Sequence, residues 1–300
     1  MQIYNSILDC IGNTPIISLK EFASNLYGKC EYFNPSHSIK DRAAIEMIKQ
    51  ALDNGDINQE TTIIEATSGN TGIALAMICA SLKLKLVIVM PESMSIERRK
   101  MMSFFGANLE LTQPSKGMQG ALDRANELLK QIPNSFMVSQ FENINNKNAH
   151  KKNTALEILN TLPDVDIFVA GFGTGGTISG VAEVLKEKNP QIQIIAIEPA
   201  SSPLLSQNIA SSHKIQGIGA NFIPKILNQK IIDEIICVSN DDAINTALDL
   251  GKIGVMAGIS SGANVYVGAQ IAKANPNKKV LTMLNDTAER YLSTDLFLNL

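Results

Sequence analysis

The chain has 300 residues, 45% of them hydrophobic and 18% charged, with a formal net charge of -3. That length buries a large core in one α/β domain or two, and the charge balance excludes a general nucleic-acid binder. No apolar run approaches the roughly 20 residues needed to span a bilayer.

The start, MQIYNSILDC, carries Asp9 where an export signal is apolar. Cys10, Cys30, Cys79 and Cys237 lack the close pairing of a zinc site or redox dithiol. These features lead to the expectation of a cytoplasmic protein with reduced thiols, no metal and no membrane contact.

Along the chain, the extended segment Asn34-Pro35-Ser36-His37-Ser38-Ile39-Lys40-Asp41-Arg42 runs straight into a helix, AAIEMIKQAL. Lys40 falls in its first turn, beside the positive end of the helix dipole, which favours the neutral amine that a Schiff base requires. A lone lysine is far more often a solvated surface charge. Short apolar runs then alternate with amphipathic stretches: TIIEA, TGIALAMICASLKL, LVIVMP, SIERRKMMSFFGA, NLELT and MQGALDRANELLKQI, and later DIFVAG, TISGVAEVLKEK and IQIIAIE. This strand-helix succession predicts parallel sheets with crossover helices, an α/β fold. Between the two arrays, residues 143–153 (NINNKNAHKKN) read as a polar surface connection.

Three turns carry the chemistry. Ala66-Thr67-Ser68-Gly69-Asn70-Thr71-Gly72 follows a strand and opens a helix with a density of small polar side chains suited to a carboxylate. Helix capping is the plainer explanation of any one of them. IFVAGFGTGGTISGV turns through Gly171, Gly173, Gly175 and Gly176 into a helix, so its amides face an anion. Thr174 and Thr177 suit a phosphate monoester, yet the G-x-G-x-x-G spacing and Glu198 about 20 residues on equally fit a dinucleotide. Gly258-Ile259-Ser260-Ser261-Gly262 matches a nucleophile elbow, but His37, His150 and His213 all precede it, against the order of a hydrolase triad. Ser260 otherwise reads as a helix cap.

Together with Ile11-Gly12-Asn13-Thr14-Pro15, Met94-Ser95-Ile96-Glu97-Arg98-Arg99, Gln140-Phe141, Gly217-Ile218-Gly219-Ala220, Ser260-Ser261-Gly262-Ala263 and Glu289-Arg290-Tyr291-Leu292-Ser293-Thr294, these motifs resemble the cysteine synthase (O-acetylserine sulfhydrylase) family, in its order and over nearly the whole chain. The family has the fold-type-II pyridoxal-phosphate architecture and belongs to the cystathionine β-synthase-like superfamily. The resemblance implies two three-layer α/β domains with central, mostly parallel sheets and pyridoxal 5'-phosphate in the cleft between them. It places a mobile, substrate-binding domain at 35–145, with 1–11 attached. A phosphate-binding domain follows at 146–300, with 12–34 packed on it.

By the same resemblance, Lys40 carries the cofactor and serves as general base. Gly173, Thr174, Gly175, Gly176 and Thr177 cup its phosphate, Asn70 touches the ring hydroxyl, and Ser260 bonds the pyridine nitrogen. Thr67, Ser68, Gly69, Thr71 and Gln140 hold the substrate carboxylate. A hydroxyl partner leaves the ring nitrogen largely neutral, which favours elimination.

The implied reaction is β-replacement: O-acetyl-L-serine loses acetate, and sulfide adds to the resulting α-aminoacrylate to give L-cysteine. The alternatives are a cystathionine β-synthase, taking homocysteine with serine or O-acetylserine, and a catalytically silent partner of serine acetyltransferase. Implied partners are a second copy of the chain and the C-terminal peptide of serine acetyltransferase. Three departures from the family pattern bear on the backbone: Ala155-Leu156 replaces glycine and proline, Asn221 stands where glycine is common, and Ser36-His37 replaces a small, often glycine-containing pair.

Overall fold

A computed structural model of the protein describes residues 3–298. The chain runs β1 (Ile16–Ser18), β2 (Leu26–Cys30), α1 (Lys40–Asp53), β3 (Thr62–Ala66), α2 (Asn70–Leu82), β4 (Lys85–Pro91), α3 (Ile96–Phe104), β5 (Asn108–Thr112), α4 (Gly117–Gln131), β6 (Ser135–Met137) and α5 (Ile144–Ala149). After a π-helical turn (His150–Thr154) it continues through α6 (Ala155–Thr161), β7 (Ile167–Gly171), α7 (Gly176–Lys188), β8 (Gln193–Pro199), α8 (Leu204–Gln207), β9 (Glu234–Val238), α9 (Asn240–Lys252), α10 (Ile259–Ala274) and β10 (Val280–Leu284). The expected α/β class is what the structure has.

Two units divide the chain: Met1–Ile11 with Lys40–Asn146, and Gly12–Ile39 with Lys147–Leu300. The first holds an all-parallel sheet in the order β5-β4-β3-β6. Side chains alternate across it. Ile63, Leu86, Ile88 and Met90 pack with α1 and α2 on one face, while Ile64, Ala66 and Val89 pack with Ala121, Ala125 and Leu128 of α4 on the other. A strand covered on both faces is apolar along its length rather than alternating, which is how LVIVMP reads, and TIIEA too except for Thr62 and Glu65.

The second unit holds a sheet in the order β1-β2-β10-β7-β8-β9, parallel except for the β1–β2 pair. Ile167, Val169, Ile195 and Ile197 face α9 and α10, whereas Phe168, Ala170, Ile194 and Ala196 face α6 and α7. Each unit therefore has a helix layer, a sheet and a second helix layer. The segment before Lys40 is tied into this unit: Ser38 bridges Asp286, and the Ile39 N–H donates to the Asn285 carbonyl at 2.9 Å.

The polar stretch 143–153 holds the boundary between the two units, at Asn146 and Lys147, and exposes Lys152 and Asn153. It is helical from Ile144 on rather than a loop, and Asn146 and His150 within it are each 2% exposed. Two of its lysines find a partner distant in sequence: Lys147 and Lys151 both pair with Glu183 at 3.0 Å. The Ala155-Leu156 departure takes ordinary helical geometry, with Ala155 at φ -66 and ψ -39 directly after the π turn. Asn221 and His37 sit at φ +62, the left-handed region where glycine is favoured and asparagine tolerated.

Lys29, buried in β2, pairs with Glu157 at 2.7 Å and donates to the Thr14 carbonyl at 2.9 Å. Removing one partner of a buried pair leaves the other charge uncompensated. Lys29→Ala should therefore lower the unfolding free energy by about 3 kcal/mol in urea titration; a change under about 1 kcal/mol would show that Glu157 finds water instead.

Candidate active site

In the first unit, β3 ends at Ala66, and Thr67, Ser68 and Gly69 lead into α2, which opens on Asn70. Its N-cap is Gly69, and no side chain caps it, in contrast to α3 and α9, whose first turns bond the hydroxyls of Ser95 and Ser239. The capping explanation for the run of hydroxyls thus fails. The Thr67 hydroxyl accepts the Gly69 N–H, at 3.4 Å.

Thr71 donates to Gln140 Oε1 at 2.7 Å, and both are buried, so the fold brings Thr67, Ser68, Gly69, Thr71 and Gln140 together around one helix N-terminus. Beneath them lies Glu65, 3% exposed, whose carboxylate accepts the backbone N–H of Ser139 at 2.9 Å and of Gln140 at 3.3 Å. Ser139 itself sits at φ +56, a conformation this clamp helps hold. Lys40 is the first residue of α1, half-buried, and α1 packs on α2.

In the second unit, β7 delivers Gly171 to Gly175 at the start of α7. Gly175 sits at φ +81, and a Cβ on Gly173 would lie 2.6 Å from the Gly217 carbonyl oxygen, so the turn admits no side chain at either position. Thr174 Oγ1 accepts the Gly176 N–H at 3.3 Å. Beyond that bond to Gly176 no side chain caps α7, a helix of 13 residues, so its other first-turn amides and the Thr174 and Thr177 hydroxyls form a donor set for a compact dianion. Pyridoxal phosphate fits this set through its phosphate.

The dinucleotide reading loses its acidic residue. Glu198 is 2% exposed, and its carboxylate accepts the N–H groups of Leu205 and Ser206 and the Ser206 hydroxyl.

α10 likewise begins on an uncapped glycine, Gly258, so Ser260 is not the cap its position suggested. The Ser260 hydroxyl accepts the Asn285 Nδ2–H at 3.2 Å, and among the described residues no histidine partners it. A Cβ on Gly217 would lie 3.5 Å from Ser260 Oγ, so the Gly217 segment touches both Gly173 and Ser260. Among the described residues there is no group of three or more His, Cys, Asp or Glu set to hold a metal ion.

Three residues at these sites were missed in the sequence. Glu65 had a signal, a charge inside an otherwise apolar strand. His150 sits in the π turn, with Nε2 3.2 Å from Thr177 Oγ1 and Nδ1 2.9 Å from Thr154 Oγ1. Asn285 gave no local signal at all.

The profile of the family "pyridoxal-phosphate dependent enzyme" matches residues 7–286. Cysteine synthase B of Campylobacter jejuni is 68% identical over 298 residues, 99% of this chain and 100% of the relative. The cysteine synthase structure of Entamoeba histolytica superposes with a TM-score of 0.95 at 42% identity, covering 99% of this chain and 91% of that one. The O-acetylserine-dependent cystathionine β-synthase of Helicobacter pylori superposes with a TM-score of 0.93 at 37% identity, covering 99% and 100%.

Burial raises the Glu65 carboxyl from 4.5 to about 7, against the lowering effect of the Ser139 and Gln140 N–H groups and the Gln140 side chain. A folded-state pKa above the unfolded one favours the neutral form. The associated stability is present at low pH and is lost as pH rises from about 4.5 through about 7, a decline of about 3 kcal/mol. Urea midpoints measured across this range should show the decline in the parent protein and its absence in Glu65→Gln; parallel curves would refute the assignment.

Proposed function

The chain belongs to the pyridoxal-phosphate-dependent enzyme family, and from that premise we propose that it forms L-cysteine from O-acetyl-L-serine and sulfide. The observation that carries this reading is the 68% identity to a cysteine synthase over 99% of the chain. Bound pyridoxal phosphate supplies the electron sink that makes the substrate α-proton acidic and acetate a leaving group.

Lys40 would hold the cofactor through its amine, and as a free amine it would take the substrate α-proton as general base and return it to the α-carbon. Gly173, Thr174, Gly175, Gly176 and Thr177 anchor the phosphate. Asn70 would orient the ring through its hydroxyl, and Ser260 would face the pyridine nitrogen. Thr67, Ser68, Gly69, Thr71 and Gln140 orient the substrate by its carboxylate, so that one face of the α-carbon is presented to Lys40. The Thr71 hydroxyl donates to Gln140 Oε1 at 2.7 Å, which holds both side chains at the N-terminus of α2.

Among the described residues no helix is long and apolar enough to cross a membrane. The reading carries a cytoplasmic location and two macromolecular partners: a second copy of this chain and the C-terminal peptide of serine acetyltransferase. A second acceptor, homocysteine, is favoured by the likeness to the Helicobacter pylori enzyme over 99% of this chain.

Product analysis with O-acetylserine and equimolar sulfide and homocysteine should give cysteine as the main product, and cystathionine in excess would move the assignment. Lys40→Ala should lower turnover on the order of 10³-fold or more, and retention of full activity would exclude the role given to that lysine.

A further inference from the structure

Asn285 follows β10 directly and makes three hydrogen bonds within the second unit. Its N–H donates to Ser261 Oγ at 2.8 Å, its carbonyl accepts the Ile39 N–H at 2.9 Å, and its carboxamide Nδ2 donates to Ser260 Oγ at 3.2 Å. The first two bonds use only the backbone of Asn285, one of them to the Ser261 hydroxyl, so they fix the residue whatever its own side chain. The third is the carboxamide's own.

A hydroxyl offers one proton and two lone pairs. Ser260 is 2% exposed, and among the described residues its hydroxyl has one recorded partner, Asn285. With that N–H on a lone pair, the hydroxyl proton is left to point away from Asn285.

We propose that Asn285 is a positioning residue that fixes the direction of the Ser260 hydroxyl, so that Ser260 donates to the cofactor's ring nitrogen and that nitrogen stays unprotonated. The inference rests on the reading that Ser260 faces this nitrogen. It adds the group that decides which of the two is the donor. An aspartate at 285 would have nearly the same shape but would accept the Ser260 proton, turning a lone pair toward the ring and admitting a proton there.

The test uses holoenzyme reconstituted with pyridoxal phosphate labelled with ¹⁵N at the ring, read by the ring-nitrogen chemical shift and by cofactor retention in dialysis. The parent protein should show an unprotonated, hydrogen-bonded nitrogen. Asn285→Asp should move the signal toward the protonated value. Asn285→Ala, which keeps both backbone bonds, should weaken cofactor binding by roughly three- to ten-fold, as expected for one lost hydrogen bond, and it decides the matter should the aspartate variant fail to load.

A parent signal already in the protonated range would overturn the proposal, because Ser260 would then be giving its proton to Asn285. Signals and affinities unchanged in both Asn285 variants, with Ser260→Ala shifted, would overturn it while sparing the reading of Ser260. A signal unchanged in Ser260→Ala would overturn both.

Discussion

Backbone N–H groups left without side-chain caps are the constraint on which this protein turns. α2, α7 and α10 each have glycine at the N-cap and no side-chain cap, while α3 and α9 are capped by serine; α4, α6 and α8 also lack a side-chain cap, but with Lys116, Thr154 and Pro203 at the N-cap. An uncapped first turn forgoes about 1 kcal/mol and leaves donors aligned with the positive end of the helix dipole, where an anion is stabilised. Glycine at these positions also lets neighbouring backbone approach: the Gly217 carbonyl occupies the space a Cβ on Gly173 would need. The parallel sheets aim two of these turns, since α2 starts where β3 ends and α7 where β7 ends, while the third lies between α9 and α10.

Around the turns the fold spends buried polar groups on holding loops still. Glu65 clamps the Ser139–Gln140 backbone, His150 meets the Thr177 hydroxyl, and Asn285 joins Ser260, Ser261 and Ile39. A buried carboxylate held by two N–H groups is costly, and it persists because the loop it fixes carries Gln140 at the strained φ of its neighbour. Such supporting contacts set the precision of the residues that touch ligand.

Legibility in the sequence followed the range of the interactions. The strands TIIEA, LVIVMP, DIFVAG and IQIIAIE and the helices between them were readable because local periodicity and glycine turns specify them. The glycine-rich turn before α7 was equally plain, since its chemistry lies in adjacent residues. His150 was hidden in a run rich in asparagine and lysine, whose burial depends on Glu183 and Thr177 more than 25 residues away. Asn285 could not be seen at all, because its partners lie 24, 25 and 246 residues off in the sequence. The family resemblance named residues proposed to meet ligand. It was silent on those that hold them.

Visible absorption of the purified protein, reconstituted with pyridoxal phosphate and then given O-acetylserine without sulfide, tests the central claim most directly. The account predicts a violet-region band from the lysine-linked cofactor, a shift to longer wavelength on adding O-acetylserine, and release of one equivalent of acetate per chain. No band after reconstitution, or a band that O-acetylserine leaves unchanged with no acetate released, would contradict it.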